Sequence, residues 1–160
     1  MIYTSAQLGD VQNIKDCAIR YCRGVDRLNA ELMKSAYWPE ATDDHGAFKG
    51  NAMDFVEHCM RAHLKWRSTN HCIMNHHIEL GADGISASGE IYNITYLFQP
   101  GEVMDVWHGR YVDEYAKRGN EWRILHRVCV HEGSYSQPLH AMDIDADAFR
   151  QGSFDRQTER

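Results

Sequence analysis

The apolar residues of this chain change their spacing once, just after Lys65, and that change decides what it can fold into. Before it, Leu8, Val11, Ile14, Cys17, Ala18, Tyr21 and Cys22 recur at the three- and four-residue steps of one helix face. Thr4-x-x-Gln7 supplies a capping box at the start of that helix. Gly24 interrupts it, and Asp26 opens a second helical stretch, Arg27 to Tyr37, which Pro39 ends. Ala41 to His45 reads as a short extended piece closed by Gly46, and Asn51 caps a third helix running to about Lys65. After the switch, His71 to Leu80, Ile85 to Phe98, Val103 to Tyr115 and Trp122 to His131 are rich in Ile, Val, Tyr and Thr. Gly81-Ala-Asp-Gly84, Gln99-Pro-Gly101 and Arg118-Gly-Asn120 separate them with turn chemistry.

Helices followed by meandering strands predict an α+β fold, a curved antiparallel sheet wrapped around three N-terminal helices and enclosing a pocket. At 160 residues the chain is one domain, assigned to residues 1–135, and everything beyond Gly133 is polar and irregular. Residues 136–160 are expected to form a tail that covers the pocket, with Met142, Phe149 and Phe154 as its anchors. The net charge of −6 comes without a basic stripe, which argues against nucleic acid as a partner. No apolar run approaches membrane-spanning length. Five cysteines, an odd number without a C-x-x-C pair, and no signal peptide point to reduced thiols in a cytoplasm.

Three stretches carry chemistry: Tyr21-Cys-Arg-Gly-Val-Asp26, Ser68-Thr-Asn-His71 and Trp107-His108. A carboxylate accepting from one imidazole nitrogen keeps the other unprotonated and basic, able to take a proton from carbon. Asp26 with His71 would form that pair, and Tyr21 or His108 would serve the oxygen that gains charge or departs. Each has a plainer reading beside it. Asp26 could cap a helix, His71 could be a half-buried strand residue, Tyr21 could be core, and His108 could be structural. Asp43 and His45 share one face of the short strand and are candidates for binding substrate polar groups, or else belong to a surface turn before Gly46. Asn93 and Arg127 are further substrate-binding candidates. The ten histidines contain no His-x-x-x-His and no Cys/His box, and no phosphate-cradling glycine loop occurs. Neither a metal nor an organic cofactor is therefore expected.

The order of elements over roughly residues 5 to 135 resembles the nuclear-transport-factor-2-like (NTF2-like) superfamily in its SnoaL-like branch. Tyr37-Trp-Pro-Glu-Ala-Thr-Asp-Asp-His-Gly46, with Phe48-Lys-Gly50, resembles that branch's short strand and turn. Gly109-Arg-Tyr-Val-Asp-Glu-Tyr115 and Gly119-Asn-Glu-Trp-Arg-Ile124 resemble its final hairpin. Gly24-Val-Asp26 is similar to the segment holding the catalytic aspartate of the hexachlorocyclohexane dehydrochlorinases. Thr69-Asn-His71, with Asn75 and Glu79 after it, is similar to the segment holding their histidine. Tyr21 and Asp26 match the tyrosine and aspartate of bile-acid dehydratases. Scytalone dehydratases share the aspartate and this histidine and carry another histidine near the position of His108. The resemblance implies an NTF2-like cone and a cofactor-independent elimination, with loss of water, halide or formaldehyde from a small apolar aromatic or cyclic substrate. An isomerase or cyclase, or a non-catalytic binding protein such as the small subunit of a ring-hydroxylating oxygenase, would use the same fold. The exposed outer sheet face implies a homo-oligomer, a trimer or dimer.

Overall fold

A computed structural model of the chain describes residues 3–158. Helix α1 runs Ser5–Asp26 and opens on the Thr4 capping box, with the Thr4 hydroxyl accepting from the Gln7 amide at 3.2 Å. It runs straight through Gly24, where the sequence suggests a break. Glycine is required there for another reason: a Cβ would lie 2.5 Å from the Met33 backbone nitrogen. Helix α2, Ala30–Lys34, crosses α1 at that contact, capped by Asn29, and Leu28 in the connecting turn has a φ of 52°. Asp26 is therefore the last residue of α1 and not the cap of the next helix.

Tyr37 begins strand β1 (Tyr37–Asp44) instead of ending a helix. Strand β2 is Lys49–Asn51, and α3 is Ala52–Ala62, capped by the Asn51 side chain and continued by a 3-10 turn at His63–Lys65. Four long strands complete the chain: β3 Ser68–Leu80, β4 Ser86–Phe98, β5 Val103–Arg118 and β6 Glu121–Pro138. The last of these passes the expected domain boundary. The six strands form one sheet in the order β2-β1-β6-β5-β4-β3. All neighbours are antiparallel except β1 and β6, which run parallel, so the sheet is mixed at one edge. The helix between β1 and the long strands makes that edge possible, because a parallel return needs a crossover.

One face of this sheet packs on α1 and α3. Ile14, Cys17, Val25, Val56, Ile91, Trp122 and Ile124 form the centre of the core between them, each almost fully buried. Side chains alternate across the sheet, so the odd-numbered residues of β4 and β5 from Ile91 to Leu97 and Trp107 to Tyr115 face the helices. The tail is held by polar groups, not by Met142, Phe149 and Phe154, which are exposed. Asp155 meets Arg27 at 3.3 Å, the Gln157 amide donates to the Arg27 carbonyl at 2.7 Å, and Arg156 donates to the carbonyls of Trp66 and His63. No helix among the described residues is long and apolar enough to cross a membrane.

Candidate active site

The end of α1 lies against the start of β3, and this contact brings Asp26 to His71. The His71 ring Nδ1 lies 2.7 Å from one carboxylate oxygen, which also accepts from the Thr69 hydroxyl at 2.8 Å. The other oxygen accepts the His71 backbone amide at 2.9 Å. A carboxylate can only accept, so Nδ1 carries the proton and Nε2 is the basic atom of the neutral ring. Burial works to raise the Asp26 carboxyl, but the bonds from His71 and Thr69 outweigh it and hold the group below the usual carboxylate range. Asp26 thus caps no helix; one of its oxygens aims the His71 imidazole and the other holds the His71 backbone amide.

His71 opens onto a cavity of about 250 Å³ between the helices and the inner sheet face. Tyr21, His45, Phe55, His63, Trp66 and Trp107 line it with Tyr111 and His131, so the walls are chiefly aromatic. Tyr21 sits in the middle of this wall. Its ring meets His71 edge-on at 6.5 Å between centroids and lies nearly parallel to His45 at 6.4 Å. Its hydroxyl is 3.3 Å from His45 Nε2. Burial, followed by the neighbouring Tyr111, pushes the Tyr21 phenol well above its ordinary range, so it stays protonated. His63 borders the cavity beside His71, 6.1 Å between ring centroids, its Nδ1 donating to the Cys59 carbonyl at 3.0 Å. Burial and then the nearby His71 push its imidazole down to about 3, so His63 stays neutral.

Of the residues expected in the site, Tyr21, His45 and His71 line the cavity, and Asp26 and Asp43 stand behind their histidines. His108 does not reach it. Trp107 faces inward, packed where Gly109 leaves room for its indole, so alternation turns His108 to the outer face, where it stacks on Tyr135 at 5.8 Å. The inward histidine of this region is His131 on β6, paired across from Gly109 beside a register shift. Asn93 and Arg127 also fall outside the cavity lining. Asn93 accepts the Thr95 hydroxyl at 2.9 Å within the core. Arg127, fully buried, forms two 2.7 Å bonds to Asp113 and lies 4.3 Å below the Tyr21 ring and 4.1 Å from that of Tyr111. It supports the cavity wall from behind. The sequence offered no pointer to His63, Trp66, Tyr111 and His131 as cavity residues, because they lie on separate elements that only the fold brings together.

Among the described residues no three His, Cys, Asp or Glu side chains converge in a metal-holding group. The arrangement can do acid–base chemistry at carbon: an oriented imidazole faces a largely apolar, aromatic pocket, with a protonated phenol beside it.

No match is found among curated proteins. In three dimensions the chain is similar to a candidate scytalone dehydratase from Novosphingobium aromaticivorans (TM-score 0.75, 14% identity), covering 90% of this chain and 98% of that one. It is also similar to a type-2 hexachlorocyclohexane dehydrochlorinase (TM-score 0.69, 18% identity; 90% and 98% covered). The type-3 dehydrochlorinase of Novosphingobium barchaimii gives TM-score 0.69 at 20% identity, with 87% and 96% covered. At such identities these likenesses establish the fold alone. The SnoaL-like domain family matches in sequence as well, over residues 6–128, from the first turn of α1 to β6, and the chain belongs to that family.

Proposed function

We propose that the protein is a cofactor-independent lyase that eliminates a small leaving group from a small, largely apolar aromatic or cyclic substrate. The observation that carries this reading is the 2.7 Å contact between Asp26 and His71 at the wall of an aromatic cavity. His71 Nε2 takes a proton from a carbon activated by a neighbouring carbonyl or ring. Asp26 keeps the ring in the basic tautomer and balances the imidazolium that forms. The Tyr21 hydroxyl donates to the oxygen that gains charge or departs. A positioned general base of this kind contributes about 10²–10⁴-fold. The remainder comes from holding the substrate flat between aromatic walls and from a donor already in place for the developing charge.

A binding module or oxygenase small subunit has no use for a buried carboxylate spending both oxygens on one histidine, and the dyad therefore favours the enzyme reading. The tail's bonds to the carbonyls of His63 and Trp66, both cavity residues, support its role as a cover at that side. Tyr92, Val112 and Tyr135 are exposed on the outer sheet face and support self-association there as a dimer or trimer, which light scattering reads directly. The test of function is a screen of aryl and cyclic β-hydroxy and β-halo carbonyl compounds for alkene formation, run with the intact protein and with His71→Gln. Turnover that survives the substitution within a few-fold removes His71 as the base.

A further inference from the structure

The cavity holds a second carboxylate–imidazole pair that proton abstraction by His71 leaves unused. Asp43 is buried at the end of β1, its backbone clamped between Gly50 on β2 and Arg127 on β6. One of its carboxylate oxygens accepts the Tyr37 hydroxyl at 2.6 Å. The other accepts Nδ1–H of His45. His45 is then fixed in the plane that Phe55 allows, stacked on that ring at 4.2 Å between centroids. Its remaining nitrogen, Nε2, is the atom that meets the Tyr21 hydroxyl at 3.3 Å. The result is a hydrogen-bonded line, Tyr37 to Asp43 to His45 to Tyr21, that ends in the cavity beside His71. A turn placed for shape alone would have no reason to bury an aspartate under a histidine and aim the histidine at a phenol.

We propose that Asp43, His45 and Tyr21 are a proton-delivery chain ending at the Tyr21 hydroxyl, and that the site consequently expels a hydroxyl group as water and not a halide. The inference rests on the elimination reading above and adds the leaving group to it. In the step, the C–H electron pair becomes the second bond of the new C=C as His71 Nε2 takes the proton. The C–O bond breaks, and its oxygen takes the phenolic proton of Tyr21. The Tyr21 oxygen takes in turn the Nε2 proton of His45, which enters the step doubly protonated: unlike His71 Nε2, its Nε2 faces an acceptor, the Tyr21 oxygen at 3.3 Å, and Asp43 balances the charge. Water and the alkene leave; His71 then gives one proton to solvent and His45 recovers one, so the cycle closes without any other reactant.

The chemistry selects the leaving group. Chloride departs as a weak base and gains little from a proton, whereas hydroxide is a strong base and departs only with one. A phenol by itself could donate once, but a tyrosinate left in this buried wall would be costly. Placing an imidazole behind it refills the phenol as it empties. The two dyads then have opposite duties: His71 takes a proton from carbon, and His45 passes one to the phenol.

The experiment compares two leaving groups on one carbon frame, β-hydroxypropiophenone and β-chloropropiophenone, which both yield phenyl vinyl ketone and are followed by its absorbance. In His45→Gln, whose amide can still bond Asp43, turnover of the hydroxy compound is expected to fall by about 10²-fold or more. The fall on the chloro compound is expected to be at least tenfold smaller. Tyr21→Phe should reproduce this split, so the test does not depend on one variant folding well. Equal losses on both compounds in both variants overturn the proton-delivery chain. Turnover of either compound that persists in His71→Gln overturns the elimination reading instead, and the two failures are told apart in one set of assays.

Discussion

Replacing Asp26 by asparagine keeps the side chain's shape but removes its charge and one acceptor oxygen. The structure says which consequence follows. The oxygen that meets His71 Nδ1 also serves Thr69, at 2.7 and 2.8 Å, while the second oxygen serves the His71 backbone amide at 2.9 Å. If the asparagine carbonyl takes the first position, its NH2 faces a backbone N–H, donor against donor, at a stability cost of about 1–3 kcal/mol. If it takes the second, the NH2 faces Nδ1 and the ring must move its proton to Nε2, which removes the base. Either way the imidazolium formed during turnover loses its counter-charge. For charges roughly 4 Å apart at an effective permittivity of about 20, that is worth about 4 kcal/mol, or about three decades of rate. We expect kcat to fall about 10³-fold with KM nearly unchanged, measured on whichever substrate the screen identifies. The stability loss carries its own signature. Because the Asp26 carboxyl lies below its ordinary range, its contribution is complete above about pH 4 and disappears as pH falls through the folded value. The gap between the two proteins in urea unfolding should therefore close in acid. A fall in kcat below tenfold would refute the role given to this carboxylate.

Two other outcomes follow from the same geometry. Arg127→Met strips the partner from the buried Asp113 and should cost about 3–5 kcal/mol in chemical denaturation, because an uncompensated charge remains in the core; a neutral result would mean that Arg127 is not the wall support described here. The His63 ring, held neutral down to about pH 3, should show no titration of its ring proton resonances between pH 8 and 5; a midpoint inside that window would contradict the burial described here.

Much of this arrangement is legible in the sequence, and what is not has common physical causes. The Thr4–Gln7 box and the apolar steps from Leu8 to Cys22 placed α1, because capping and periodicity are local properties. Gly24 misled because glycine signals both helix ends and close approaches; only the position of Met33 distinguishes them, and that is a tertiary fact. Taking Gly24 as a break made Asp26 an N-cap candidate, although its pairing with His71 was still readable from the two motifs. At Trp107-His108 one residue had to face inward, and nothing local says which. The room above Gly109 settled it in favour of the tryptophan, and the histidine of that strand pair that lines the cavity is His131, beside the register shift. Asp43 and His45 were visible as neighbours on one strand face. Their connection to Tyr21 was not, because it depends on β1 joining the sheet beside β6, a parallel pairing that the alternation pattern does not encode.

The central claim is that His71, aimed by Asp26, removes a proton from carbon. Its most direct measurement is turnover of a substrate deuterated at the carbon that loses the proton, compared with the protiated form in intact protein and in His71→Gln. The account predicts a primary isotope effect on kcat/KM in the intact protein and loss of the reaction in the variant. A reaction that survives in the variant with the same isotope effect would show that another group is the base.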